Sequence, residues 1–253
     1  PMDHALYFPN LDLDTDWRIE TKYRIPLRTY LALRNAITPY LAQDPYTQAA
    51  VGQHYLVRSL YYDTADYRSY HEKVDGNCDR VKFRLRSYSD QAEASPDIRV
   101  EMKVRKGNVM EKYGCFVPYP VYEAFTHSGH WPTDQEPVLI EFERYQALWR
   151  LVPKTLVQYR REGYSDRARE GIRLTFDQQV MSTAANTLFP AAPFFRRQYE
   201  QQVVLEIKHR QQLPKWLERL IKAYDLKVVA NSKYAMAVET AQHDVILPAW
   251  RQV

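Results

Sequence analysis

The chain has 253 residues, 35 Lys and Arg against 31 Asp and Glu, 45% hydrophobic and 26% charged side chains, and a formal charge of +4. That length buries a substantial core, and the composition excludes disordered, collagenous and low-complexity classes. Only two cysteines occur, Cys78 and Cys115, which excludes a disulfide-stapled scaffold and a multi-cysteine zinc site. No run of about 18 apolar residues offers a membrane span. The opening PMDHALYF has no basic stretch leading into an apolar one, Pro1 ahead of Met2 reads as a cloning remnant, and a cytoplasmic protein is expected.

In chain order, residues 17–25 alternate apolar and polar side chains and predict a strand. Residues 27–42 place Leu27, Tyr30, Leu31, Leu33 and Arg34 at helical spacing, with Pro39 bending or ending the helix. Strands follow at 55–62, 80–88, 98–105 and 109–117, the last two joined by Lys-Gly-Asn at 106–108 as a hairpin turn. The stripe Val138, Leu139, Phe142, Tyr145, Leu148, Trp149 predicts a helix over 135–150. Strands at 154–161, 171–177 and 202–209 and helices at 214–225 and 231–241 complete the pattern, while 89–97 and 182–198 read as loops. With no internal repeat and no convincing linker, one α+β domain over 1–253 is expected, built on eight mainly antiparallel strands.

Residues two apart on a strand share a face. Arg80, Lys82, Arg84 and Arg86 therefore share one face, opposite Val81, Phe83 and Leu85. Four like charges in a row repel one another, and an ordinary solvated strand does not concentrate them so. The pattern recurs: Arg18, Glu20, Lys22 and Arg24 align; so do Arg99, Glu101, Lys103 and Arg105; so do Glu206 and Lys208, and Arg173, Thr175 and Asp177. In a closed sheet these faces all look outward or all look inward. The apolar helices need a partner surface, and the apolar strand faces supply it, which favours a charged lumen with helices outside. A basic lumen with a few carboxylates suits a triphosphate or polyphosphate, held by charge-assisted hydrogen bonds from Arg and Lys with Mg²⁺ or Mn²⁺ on the carboxylates. The chain has no GxxxxGK[ST] loop and no GxGxxG, which excludes P-loop and kinase cradles. His54, His71, His127, His130 and His209 lack metal-ligand spacing, and the tyrosines read as packing residues.

A resemblance follows from motif order: RIETKY (18–23), SLYYDT (59–64), YHEKVDG (70–76), DRVKFRLR (79–86), EMK (101–103), QYRREGY (158–164), RLTFD (173–177), LEIK (205–208) and NSKY (231–234). Together they resemble the VTC domain, the family holding the catalytic domain of the eukaryotic vacuolar polyphosphate polymerase and related bacterial proteins. It lies among the triphosphate tunnel metalloenzymes, alongside the CYTH group. The resemblance implies an eight-stranded antiparallel tunnel with helices packed outside. It implies that Lys22, Arg84, Arg86, Lys103, Arg160 and Lys233 contact phosphates, that Ser232 assists, that Lys112 faces the phosphate chain and that Glu206 holds the metal. By shared face, Glu101 and Glu20 are further candidate metal ligands, and Arg58, Arg80, Lys82, Arg173 and Lys208 further phosphate contacts. Arg18 stands where CYTH hydrolases carry the first Glu of Glu-x-Glu-x-Lys, which fits the VTC branch better. The SPX domain and membrane helices of the eukaryotic polymerase are absent from this sequence, so a freestanding bacterial-type member is expected.

The implied activity is metal-dependent transfer of the ATP γ-phosphate onto polyphosphate. Triphosphate hydrolysis and a non-catalytic polyphosphate or nucleotide sensor are the alternatives. The expected partners are ATP, tripolyphosphate or polyphosphate, with no nucleic acid. A membrane partner and the oligomeric state stay open.

Overall fold

The computed structural model describes residues 19–107, 109–132, 136–166 and 171–241. Arg18, Asn108 and the first residue of the helix expected over 135–150 lie outside them. The strands are β1 (Ile19–Pro26), β2 (Leu41–Gln43), β3 (Tyr55–Asp63), β4 (Arg80–Ser87), β5 (Ile98–Lys106), β6 (Val109–Val117), β7 (Val152–Asp166), β8 (Arg173–Ala184), β9 (Arg196–Arg197) and β10 (Gln202–His209). The helices are α1 (Leu27–Ile37), α2 (Pro45–Ala49), α3 (Arg68–Val74), α4 (Tyr119–Ser128), α5 (Pro137–Trp149), α6 (Lys215–Ala223) and α7 (Lys233–Ala241). All eight expected long strands form, and two of them, β7 and β8, run well past the ends that alternation indicated. The helix expected over 27–42 stops at Ile37, and Leu41–Gln43 turns into a strand beside β7. Part of the expected loop 182–198 is strand too, as the end of β8 and as β9.

One antiparallel sheet runs in the order β1-β10-β8-β7-β3-β4-β5-β6, with β2 on β7 and β9 on β8. It curls into a half-barrel. The free edge of β1 is partly covered by the segment before α7, where Val229 N–H donates to the Lys22 carbonyl at 2.8 Å. The convex face is apolar, and two separate cores sit on it. Val81, Phe83 and Leu85 of β4 and Val100 and Met102 of β5 pack beneath α4 and α5 through Phe125, Leu139 and Phe142. Tyr23 and Ile25 of β1 and Leu205 and Ile207 of β10 pack beneath α1 and α6 through Leu33, Ile37 and Leu217. Burying each of these side chains contributes on the order of 1.5–3 kcal/mol, which fixes which face the charged alternates must take.

The concave side holds a third core. Val57 and Tyr61 of β3, Val157 and Tyr159 of β7, Val180 of β8 and Val204 of β10 meet Tyr234, Ala235, Ala237 and Val238 of α7. Helices α1, α5 and α6 lie outside as expected, with the unforeseen α4 beside them, but α7 lies inside the curl. The physical reason is local: at this end of the lumen the inward strand positions are apolar, so they need an apolar helix. Asp63 fastens the plug. Fully buried, it accepts from the backbone of Thr64, Ser69 and Tyr70 at the head of α3 and from the Tyr234 hydroxyl.

Candidate functional site

Alternation carries the charged side chains of β1, β4, β5, β6, β8 and β10 into the half of the lumen that α7 leaves open. The ladder places like charges directly opposite one another: Arg80 and Arg105, Lys82 and Lys103, Arg86 and Arg99 across β4 and β5, then Lys103 and Lys112 across β5 and β6. Of the four β4 cations, Arg84 alone faces a carboxylate across β5, Glu101; elsewhere in the ladder Lys22 faces Glu206, Lys208 faces Glu20 and Arg161 faces Asp177. Directly opposed like charges destabilise a sheet. Their concentration makes the concave face strongly positive.

Three carboxylate centres organise these cations. Glu101, fully buried, is reached by Arg84 Nε at 2.6 Å, Arg99 Nε at 3.4 Å and Arg86 Nε at 3.7 Å, and by Lys112 Nζ. Burial pushes its carboxyl up, but Arg84, Arg86 and Lys112 outweigh burial and hold it well below the usual carboxylate range. Asp177, also fully buried, takes Arg161 Nε at 2.6 Å and Nη2 at 2.8 Å and Lys233 Nζ at 2.5 Å. The third centre spans β1 and β10, where Glu20 and Glu206 share Lys22 and Lys208. Lys22 Nζ sits 2.7 Å from Glu20 and 3.7 Å from Glu206, and Lys208 Nζ sits 2.9 Å from Glu206 and 3.8 Å from Glu20. Lys103 Nζ reaches across the lumen to Glu20 at 3.3 Å. Burial and Glu206 push Glu20 up, yet Lys103, Lys22 and Lys208 hold it at about 2.

Positive charge remains in excess. Burial, then Lys103, Lys22 and Arg80, push the Lys82 ammonium down to about 7. Its hydrogen-bond acceptor is the Ser232 hydroxyl at 2.8 Å, and no carboxylate partners it among the described residues. Lys112 is likewise pushed down to about 7 by burial, with Arg84 and Arg86 adding to it against Glu101. Ser232 has a second task at the head of α7, accepting from the Ala235 backbone N–H at 3.3 Å. Tyr61, read from sequence as packing, does both jobs: its ring stacks on Tyr234 and its hydroxyl accepts from Arg84 at 3.2 Å.

The expected site residues fall into two groups. Lys22, Lys82, Arg84, Arg86, Lys103, Lys112, Lys208, Ser232, Lys233, Glu20, Glu101 and Glu206 converge in the lumen, and Arg80 lies at its far end, donating to the Asn77 carbonyl. Arg58 does not join them. It lies on the convex side and donates to Gln158 and to the carbonyls of Asp90 and Leu188. Arg160 is exposed on that same side, alternating with Gln158 and Glu162; its neighbour Arg161 enters the lumen instead. The sequence signal for Arg161 is its phase with Val157 and Tyr159, which point inward. Arg173 stands at the rim, 3.3 Å from Asp44. Asp44 itself lies against Gly163, where an added Cβ would come 2.0 Å from its carboxylate and force that side chain to shift.

A divalent cation fits this donor set in one place. Glu20 and Glu206 already hold one cation, the Lys22 ammonium, between hard oxygen donors. The described residues hold no cluster of three or more His, Cys, Asp or Glu close enough for a protein-only metal cage. A pair of carboxylates such as Glu20 and Glu206 could hold Mg²⁺ or Mn²⁺, which bind through one or two carboxylates and take their remaining ligands from phosphate and water. Glu101 fits less well as a metal ligand: cations engage its oxygens as they do those of Glu20 and Glu206, but no second carboxylate shares those cations among the described residues.

The family model described as VTC domain matches residues 17–242. No curated protein matches the chain in sequence. Among solved structures, a Bacillus halodurans protein provisionally assigned as an adenylate cyclase superposes with a TM-score of 0.51 at 13% identity, over 85% of this chain and 93% of that one. The PH1819 protein from Pyrococcus horikoshii OT3 gives a TM-score of 0.46 at 13% identity, over 88% of this chain and 99% of that one.

Proposed function

The chain belongs to the VTC domain family, and from that premise we propose that its lumen binds the phosphates of ATP or polyphosphate and transfers a phosphoryl group, making polyphosphate from ATP. The observation that carries this reading is the set of like charges opposed across β4, β5 and β6 on the concave face. Phosphoryl transfer asks for little covalent chemistry from the protein; it asks for positioning and charge neutralisation. Arg84, Arg86, Arg161, Lys22 and Lys103 converge on one space and would bind successive phosphate oxygens. Glu206 and Glu20 would hold Mg²⁺ or Mn²⁺, which would supply further charge neutralisation to the bound phosphates. Ser232 and Lys233, at the head of α7, would meet the phosphate furthest into the lumen.

Incubation with ATP and Mn²⁺ or Mg²⁺, with products resolved by gel and by phosphate assay, tests the reading. Long polyphosphate supports it. Free phosphate alone replaces synthesis by hydrolysis, and tight binding without turnover replaces both by sensing. Glu206→Gln is expected to lose turnover while keeping a melting temperature near that of the parent, since Lys22 retains Glu20 as partner; full activity in this variant would remove Glu206 as the metal ligand.

A further inference from the structure

The two ends of the lumen differ. At one end Tyr61, Tyr70, Tyr199 and Tyr234 are buried around α7. At the other end the aromatic residues face water. Tyr55 opens β3, Tyr88 follows the end of the antiparallel β4, and Tyr46 lies on α2, so all three meet at this rim. Their rings form a row, Tyr46 to Tyr55 at 5.9 Å between centroids and Tyr55 to Tyr88 at 6.1 Å. The planes are tilted by 52° and 57°, so no ring covers the face of its neighbour. Tyr46 is 69% exposed and Tyr88 41% exposed. Tyr55 packs partly against the inner core; core packing explains its position but not those of Tyr46 and Tyr88.

The row adjoins the cations. Tyr88 lies two residues beyond Arg86, about 7 Å along the strand direction, and Tyr55 pairs in register with Arg161. Arg173 and Asp44 complete the electrostatic surroundings of Tyr55. An open aromatic face beside guanidinium groups matches a ligand with a flat π-system at one end and dense negative charge at the other.

We propose that Tyr46, Tyr55 and Tyr88 form a stacking subsite for the base of a nucleoside triphosphate whose phosphates run from this rim toward α7. This rests on the phosphate-binding reading of the lumen and adds to it a seat for the base, the part that sets a nucleoside triphosphate apart from inorganic tripolyphosphate. Stacking uses the π-face that every base has, so the subsite is tolerant of base identity.

The test compares ATP with tripolyphosphate by equilibrium binding to the parent chain and to Tyr46→Ala, Tyr88→Ala and Tyr88→Phe. Loss of a stacking ring is expected to weaken ATP about five- to a hundredfold and leave tripolyphosphate affinity unchanged, while Tyr88→Phe retains ATP affinity. Tyr88→Leu, which keeps an apolar side chain without a ring face, gives the same answer should Tyr88→Ala not fold. Equal losses for both ligands, or no loss for ATP, would overturn the subsite. A parent chain that binds tripolyphosphate but not ATP overturns the subsite and leaves the lumen reading standing; one that binds neither overturns the lumen reading itself.

Discussion

Glu101 has no contact with water and four cations around it, which makes it the residue on which the charge balance of the lumen most depends. Removing one partner from a buried ionic cluster leaves the rest uncompensated, at a cost of about 3–5 kcal/mol. Glu101→Gln is therefore expected to lower stability by that amount in denaturant unfolding; a change below about 1 kcal/mol would show that solvent already screens the cluster. Its carboxyl is depressed in the folded state, so its stabilisation is present above the unfolded carboxylate pKa and is lost as pH falls through the folded value. Lys82 behaves in the opposite sense. Burial and the neighbouring lysines hold it at about 7, whereas an unfolded lysine titrates near 10.4. Between those values the unfolded chain carries more protons, so the empty protein should gain stability as pH rises from about 7 to about 10. Lys82→Met should flatten that slope and raise the melting temperature at pH 7 by about 2–4 °C. A polyanion beside Lys82 returns the proton, so tripolyphosphate binding at pH 8 is expected to take up protons. Calorimetry in two buffers of different ionisation enthalpy reads this, and identical heats in both would place the ligand away from Lys82.

At the scale of elements, α7 decides how much of the curl is cavity. Its apolar face fills one end, its first turn presents Ser232 and Lys233 to the charged half, and the Tyr234 hydroxyl ties it to Asp63. Tyr234→Phe keeps the ring against Tyr61 and removes only that hydrogen bond to a buried carboxylate, at a cost of about 1.5–3 kcal/mol. The same shift at the head of α7 should weaken tripolyphosphate binding through Ser232 and Lys233; stability and affinity are expected to fall together, and an affinity unchanged in a destabilised variant would separate the helix from the site. Strand β7 shows why adjacent arginines mislead. Arg160 and Arg161 differ only in phase, and an irregularity in the β7–β8 ladder falls between Gln158 and Arg160. Motif order selects the pair; only the pleat selects the member.

For the whole molecule, the lumen concentrates repulsion that a ligand relieves. A ligand that binds only the folded state at a hundred times its Kd stabilises by about 2.7 kcal/mol. Tripolyphosphate should therefore raise the melting temperature by about 5–10 °C, and raising salt from about 0.05 to 0.5 M should shrink the gain as the charges are screened. A gain insensitive to salt would point to binding outside the charged lumen.

Alternation alone determined which strand residues share a face, and with it the convergence of Arg84, Arg86, Lys22, Lys103 and Glu206, because a two-residue period admits no other arrangement once Val81, Phe83 and Leu85 are buried. The need of apolar helices for an apolar surface determined that the charges turn inward. Tertiary structure decided the rest. It put α7 inside the curl, since the inward apolar positions Val57, Val157, Val180 and Val204 come from four strands distant in sequence. It turned Arg58 to the convex side and gave Arg161 the place expected of Arg160, since face assignment in a long strand depends on phase against distant neighbours. It engaged Glu101 with four cations drawn from β4, β5 and β6, and it gathered Tyr46, Tyr55 and Tyr88 at one rim. Each of these outcomes depends on where the curling sheet brings separate strands together, and local spacing carries no information about that.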